Sequence, residues 1–221
     1  GMKELEDEIA SLKERIKSKP DGFSEALAKW KKELEKTPLW TPLRLLKMES
    51  KGKVTLSQSK NGTLSVNKEN PEKDTWILTL RIPEGKPLRA IRIDALPKKK
   101  GGKWKDKNVA LRELTVEWIE VGKPPVPLTL KNPRADFSQQ GWEVAKAIDG
   151  KTNAGWAFSP KASERHVAIF DFANPVSGGR LKVTLEQEYG QGLLFEKFRI
   201  SASTHLTKWL TPQVDLTRGL N

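Results

Sequence analysis

From Thr37 to Thr204 the chain is written in short stretches in which apolar and polar residues alternate, with no 3.6-residue period between them. Ile91, Ile93 and Ala95 alternate with Arg92 and Asp94, and Leu114, Val116 and Trp118 alternate with Thr115 and Glu117. A period of two turns one set of side chains to a buried face and the other to water, the pattern of antiparallel strands covered on one side. Trp76 to Ile82 and the stretches 53–56, 63–66, 126–130, 166–172, 180–187 and 196–202 read as further strands, each bounded by Gly, Pro or Asn. Lys60-Asn61-Gly62 marks a tight hairpin turn, because Asn and Gly tolerate the positive φ such turns require. About nine or ten strands with no helices between them favour an all-β two-sheet sandwich or jelly roll over a parallel α/β fold.

The first 36 residues follow a different period. Leu5, Ile9, Leu12 and Ile16 form one helical stripe, with acids early and bases late as the helix dipole prefers. Pro20-Asp21-Gly22 breaks it, and Ser24 caps a second helix whose stripe is Phe23, Leu27, Trp30 and Leu34. The expected organisation is an α-helical hairpin at 1–36, a β-sandwich at 37–204, and a tail or linker at 205–221. The hairpin packs on itself, on the sandwich or on a partner.

Of the 221 residues, 36% are apolar, enough for a core, and 31% are charged. Gly1 ahead of Met2 reads as a remnant at the head of an excised fragment, so the lack of a signal peptide or membrane span says nothing about where the parent protein resides. No cysteine is present, which excludes disulfides, thiolate nucleophiles, Cys-ligated metals and haem attachment in this chain. The +12 charge falls entirely after residue 36, since the first 36 residues hold nine Lys/Arg and nine Asp/Glu. Such an excess suits acidic partners, including anionic polysaccharide, or serves solubility alone.

The most distinctive stretch is 135–156, ADFSQQGWEVAKAIDGKTNAGW, which runs from an apolar segment through an Asp149-Gly150 turn and a polar loop to Gly155 and a buried Trp156. It closes one end of a sandwich. The AxDG, polar loop, GW and alternating strand resemble galactose-binding-like domains of the discoidin or coagulation-factor C type. Asp136-Phe137-Ser138-Gln139, Ala147-Ile148-Asp149-Gly150, Gly155-Trp156-Ala157, Leu181 to Leu185 and Phe198-Arg199-Ile200-Ser201 resemble, more narrowly, a module embedded in planctomycete-type cytochrome-c-domain proteins. The resemblance spans roughly Trp40 to Thr204 and implies a non-catalytic, extracytoplasmic binding module with carbohydrate as the first ligand class.

Two regions are candidate sites. The loop 96–108 carries six lysines, Gly101-Gly102 and a single aromatic, so Trp104 flanked by Lys105, with Asn108 at its foot, is a stacking platform for a sugar ring or a base, or else a cover for a sheet edge. In the loop 149–153, the resemblance implies a structural calcium held by Asp149, the backbone around Thr152, and Glu196 from a late strand. Calcium takes six to eight oxygens, Lys151 opposes it, and a plain Asx turn at Asp149 is the alternative. Asn153 and Trp142 complete the expected ligand set, Trp142 being the more exposed of the tryptophans that bracket the loop.

Catalysis finds little support. His166 and His205 are the only histidines and lack metal-pair spacing, and no nucleophile elbow or phosphate loop occurs. The expected function is carbohydrate binding, including acidic polysaccharide. The alternative is docking against neighbouring domains of the parent protein with no small ligand. Nucleic acid is disfavoured by the single tyrosine and the absence of a nucleic-acid motif.

Overall fold

The computed structural model describes residues 40–97, 107–120, 122–151 and 153–206, together with the backbone of 99–100 and 103–104. The helical hairpin expected over 1–36 lies outside the described residues, as does the expected tail beyond Leu206. The strands are β1 (Thr41–Pro42), β2 (Arg44–Ser50), β3 (Leu56–Gln58), β4 (Leu64–Val66), β5 (Asp74–Arg81), β6 (Leu88–Ala95), β7 (Lys99–Lys100), β8 (Lys103–Trp104), β9 (Glu113–Ile119), β10 (Val126–Leu128), β11 (Leu130–Ala135), β12 (His166–Val176), β13 (Arg180–Gln187) and β14 (Lys197–Ser203). One sheet runs β11-β12-β6-β14-β4-β3, with β1 paired to β14, and the other runs β10-β9-β13-β5-β2. All the pairings are antiparallel, and β7 pairs with β8 as a separate hairpin. The described residues therefore form the antiparallel two-sheet structure that the alternation predicts.

The registers show why the alternation works. Leu114, Leu185 and Trp76 align across β9, β13 and β5, and Val116, Val183 and Leu78 form the next row. All six are buried in a core they share with Ile91, Ile93 and Ala95 of β6 and Phe198 and Ile200 of β14. The two sheets meet face to face there, with Trp76 stacked on Phe198 at 5.8 Å. Trp76 also hands its indole N–H to Asp74, so the large side chain is buried without an orphaned donor.

Several elements differ from the sequence reading, among them the β7–β8 hairpin within the expected loop 96–108. The expected strand 126–130 is two strands: Leu128 pairs with Val116 in one sheet and Leu130 with Phe172 in the other, so the chain changes sheets at Thr129. Strand β2 is additional. It is an edge strand in which Leu45 and Met48 pack, partly buried, against the core, and the register shift between Leu45 and Lys47 breaks its period of two. The strands around Asn61-Gly62 begin at Leu56 and Leu64, and Gly62 adopts φ 81° with its Cα facing Pro42, where a Cβ would approach to 2.3 Å.

Candidate functional site: an aromatic corner at one end of the sandwich

The loop between β11 and β12 is fixed by its own backbone. Gln139 N–H donates to Ala157 O at 2.8 Å, and Trp142 N–H donates back to Gln139 O at 2.8 Å, closing a turn with Gly141 at φ 81°. A 3-10 helix, Val144–Ile148, follows and buries Val144 and Ala147. Asp149 ends it, its Oδ1 accepting from Lys151 N–H at 2.9 Å while Gly150 takes φ 72°. The chain then returns along the segment before β9: Leu111 and Trp156 exchange two backbone hydrogen bonds of 3.0 and 2.8 Å. Trp156 is fully buried and donates its indole N–H to Phe137 O at 3.0 Å.

This scaffold leaves Trp142 half-buried at the surface, where it meets Tyr189 from the loop between β13 and β14. The ring centroids are 5.0 Å apart and the planes are inclined at 89°. Tyr189 is 50% exposed, against a core in which the large side chains are under a tenth exposed. Its loop is pinned by Gln191 N–H on Glu72 Oε2 at 3.1 Å and Gly192 N–H on Glu72 O at 2.8 Å. Two loops distant in sequence thus build one partly exposed aromatic corner.

Charged groups surround it in pairs. Lys146 bonds Glu143 at 2.9 Å, and with the Gly141 N–H it holds the Glu143 carboxyl down at about 2. Arg112 donates to Glu188 O, next to Tyr189 in the chain, at 3.3 Å and lies 3.9 Å from Glu186. At the foot of the 3-10 helix Glu113 is different. Burial pushes its carboxyl up to about 7 against the Gly150 N–H, with the charges of Asp149 and Glu186 adding to the rise.

The residues singled out from the sequence have diverse placements. Trp142 sits in the corner. Asn108 is a latch: its Oδ1 accepts from Phe158 N–H at 3.0 Å and its Nδ2 donates to Gln139 Oε1 at 3.0 Å, tying the foot of the lysine-rich loop to the Trp142 turn. Asn153 is exposed. Asp149 caps its turn beside Glu113, whereas Glu196 faces Lys107 and lines a different cleft with Leu96, Phe158 and Phe195. Among the described residues no group of three His, Cys, Asp or Glu is placed to hold a metal ion. The backbone of Trp104 lies in β8 opposite Lys99, while its side chain, Lys105 and Thr152 lie outside the described residues. Tyr189 is the functional candidate the sequence reading missed; its flanking Gly190 and Gly192, both at positive φ, were the available signal of an aromatic held on a tight loop. No described helix is long and apolar enough to cross a membrane.

In comparison with known proteins, the chain matches no family model, no curated protein and no solved structure. The class that fold and site define is an antiparallel β-sandwich bearing an aromatic corner at one end.

Proposed function

We propose that this chain is a non-catalytic carbohydrate-binding module with a galactose-binding-like jelly-roll fold, and that Trp142 and Tyr189 are its ligand-contacting rings. One observation carries the reading: two aromatic side chains, on loops tied down by backbone hydrogen bonds, meet edge to face at 5.0 Å at one end of the sandwich, with Tyr189 50% exposed. Aromatic rings offer a sugar's C–H face a flat apolar surface, and polar groups such as Glu143, Lys146 and Glu188 are near enough in the chain to serve its hydroxyls. A glycan-array screen of the purified chain, with and without calcium and at two salt concentrations, tests it. A discrete set of bound glycans is the expected result, and a steep fall with salt marks an acidic polysaccharide. Silence across the array overturns the proposal.

A second reading, docking against neighbouring domains of the parent protein, is favoured by a different feature. Trp118, Val126, Leu128, Pro175 and Val176 line a groove of about 220 Å³ beside β10, and Val126 is 49% exposed. Exposed apolar grooves of this kind are common partner surfaces.

A further inference from the structure

His166 opens β12 and is 1% exposed, yet both of its ring nitrogens face acceptors. Nδ1 lies 3.1 Å from Asp136 Oδ2, and Nε2 lies 2.7 Å from Lys161 O. A neutral imidazole carries one N–H and can donate to only one of them, whereas the imidazolium donates to both. Asp136 is itself fixed, with Oδ1 accepting from Val167 N–H at 2.7 Å. The two partners stand at opposite ends of one loop: Asp136 directly follows β11, and Lys161 lies shortly before β12. Between them run Phe137, whose carbonyl receives the Trp156 indole, the Gln139 turn and Trp142. Phe158 and Phe137 pack on the imidazole at 4.6 and 5.7 Å, and the Lys161 amine lies over the Phe137 ring at 4.8 Å.

We infer that the His166 imidazolium is a clasp that closes the loop bearing Trp142 by donating to Asp136 and the Lys161 carbonyl together, so that binding at that loop weakens as pH rises. The effect on ligand rests on the carbohydrate reading above; the clasp itself does not. The charged groups around His166 are Asp136 from the β11 side, Lys161, Glu164 and Arg165 from the segment before β12, and Asp94 of β6. Asp94 is occupied by Arg92 and Arg165, which leaves Asp136 and Glu164 to favour the cation. Burial pushes the imidazolium down, but the Asp136 hydrogen bond, the Lys161 carbonyl and the charges of Asp136 and Glu164 outweigh it and raise its pKa above the ordinary value. Burial likewise pushes Asp136 up and is outweighed by its bonds to His166 and Val167, so its pKa is lowered. A group whose folded pKa is raised contributes fully below its unfolded pKa and loses that contribution as pH passes its folded value. The clasp is therefore closed at pH 6 and opens on the alkaline side.

The test is carried out on the whole chain with ring-labelled histidine. The His166 ring is titrated by NMR, and amide exchange of residues 137–161 is followed from pH 6 to pH 9 after correction for intrinsic rates. His166 is expected to titrate above the ordinary histidine value of about 6.5. Loop exchange is expected to accelerate about tenfold for each pKa unit of coupling, while β5 and β13 stay protected. Asp136→Asn should lower the His166 pKa and flatten the pH dependence, and His166→Gln should show the alkaline exchange pattern at every pH. If His166→Gln fails to fold, the titration and Asp136→Asn decide. A His166 pKa at or below the ordinary value of about 6.5, or loop protection that does not change with pH, overturns the clasp. Silence on glycan arrays with a raised His166 pKa and pH-dependent loop exchange removes the sugar reading and leaves the clasp standing.

Discussion

The indole of Trp142 stands edge-on to the phenol of Tyr189, ring centroids 5.0 Å apart and planes at 89°. Perpendicular rings form a corner. A corner contacts a sugar on two sides, whereas coplanar rings suit a flat polymer face. The pairing also fixes the two loops to each other, since edge-to-face aromatic contacts contribute roughly 0.5–1.5 kcal/mol beyond their buried area. Under the proposed carbohydrate reading, such a corner would suit a single sugar unit or a chain end better than a crystalline polysaccharide surface.

The return of the Trp142 loop depends on Gly155. A Cβ at that position would lie 2.1 Å from Leu111 O and 2.5 Å from Arg112 Cα, both backbone atoms with no room to yield. Gly155→Ala is expected to cost on the order of 3 kcal/mol or more, seen as a lowered midpoint in urea denaturation, by breaking the two hydrogen bonds between Leu111 and Trp156. An unchanged midpoint would show that the two segments separate without penalty.

Asp74 is 1% exposed and gathers four donors: Ser50 Oγ, Gly52 N–H at 3.0 Å, Thr75 N–H at 2.8 Å and the Trp76 indole at 2.8 Å. Asp74→Ala strands the buried Trp76 indole N–H and removes the acceptor of the other, partly exposed donors, and the expected loss is about 3 kcal/mol in chemical denaturation. Asp74→Asn retains an acceptor oxygen and should lose less. Equal losses for the two variants would mean that the acceptor count does not matter there.

Glu113 gives the sandwich a pH signature. Its carboxyl is raised from 4.5 to about 7 by burial, opposed by the Gly150 N–H and reinforced by Asp149 and Glu186. The folded chain therefore binds that proton more tightly than the unfolded chain, and stability falls as pH rises through this window before levelling off above it. Glu113→Gln carries no proton to lose. It should match the parent near pH 4 and exceed it in thermal midpoint above pH 7, and a constant difference between the two across that range would assign the shift to other groups.

Much of the sheet framework was legible because burial on one face leaves a period of two in the sequence: β5, β6, β9, β12 and β13 all lie where the alternation placed them. The edge strand β2 left no such trace, since neither of its faces is fully buried and a bulge at Leu46 breaks its register. The switch of sheets at Thr129 was equally silent, because both halves are apolar enough to pass for one strand. At the site, the Asp149-Gly150 turn and the burial of Trp156 follow from residue chemistry alone. The Trp142 and Tyr189 contact does not, as it joins loops whose proximity is set by the pairing of strands far apart in the chain. Asn108 illustrates the same limit. Its amide fits a ligand contact in the sequence, and in the fold it ties Gln139 to Phe158.

The most direct measurement is titration calorimetry of the strongest array glycan against the parent chain, Trp142→Ala, Tyr189→Ala and the double variant. Each single substitution is expected to weaken binding by about 1–3 kcal/mol, the range for stacking on one ring, with the double variant losing less than the sum because the rings support each other. Undiminished affinity in Trp142→Ala and Tyr189→Ala, with both variants folded, would place the ligand elsewhere and contradict the aromatic corner as the binding site.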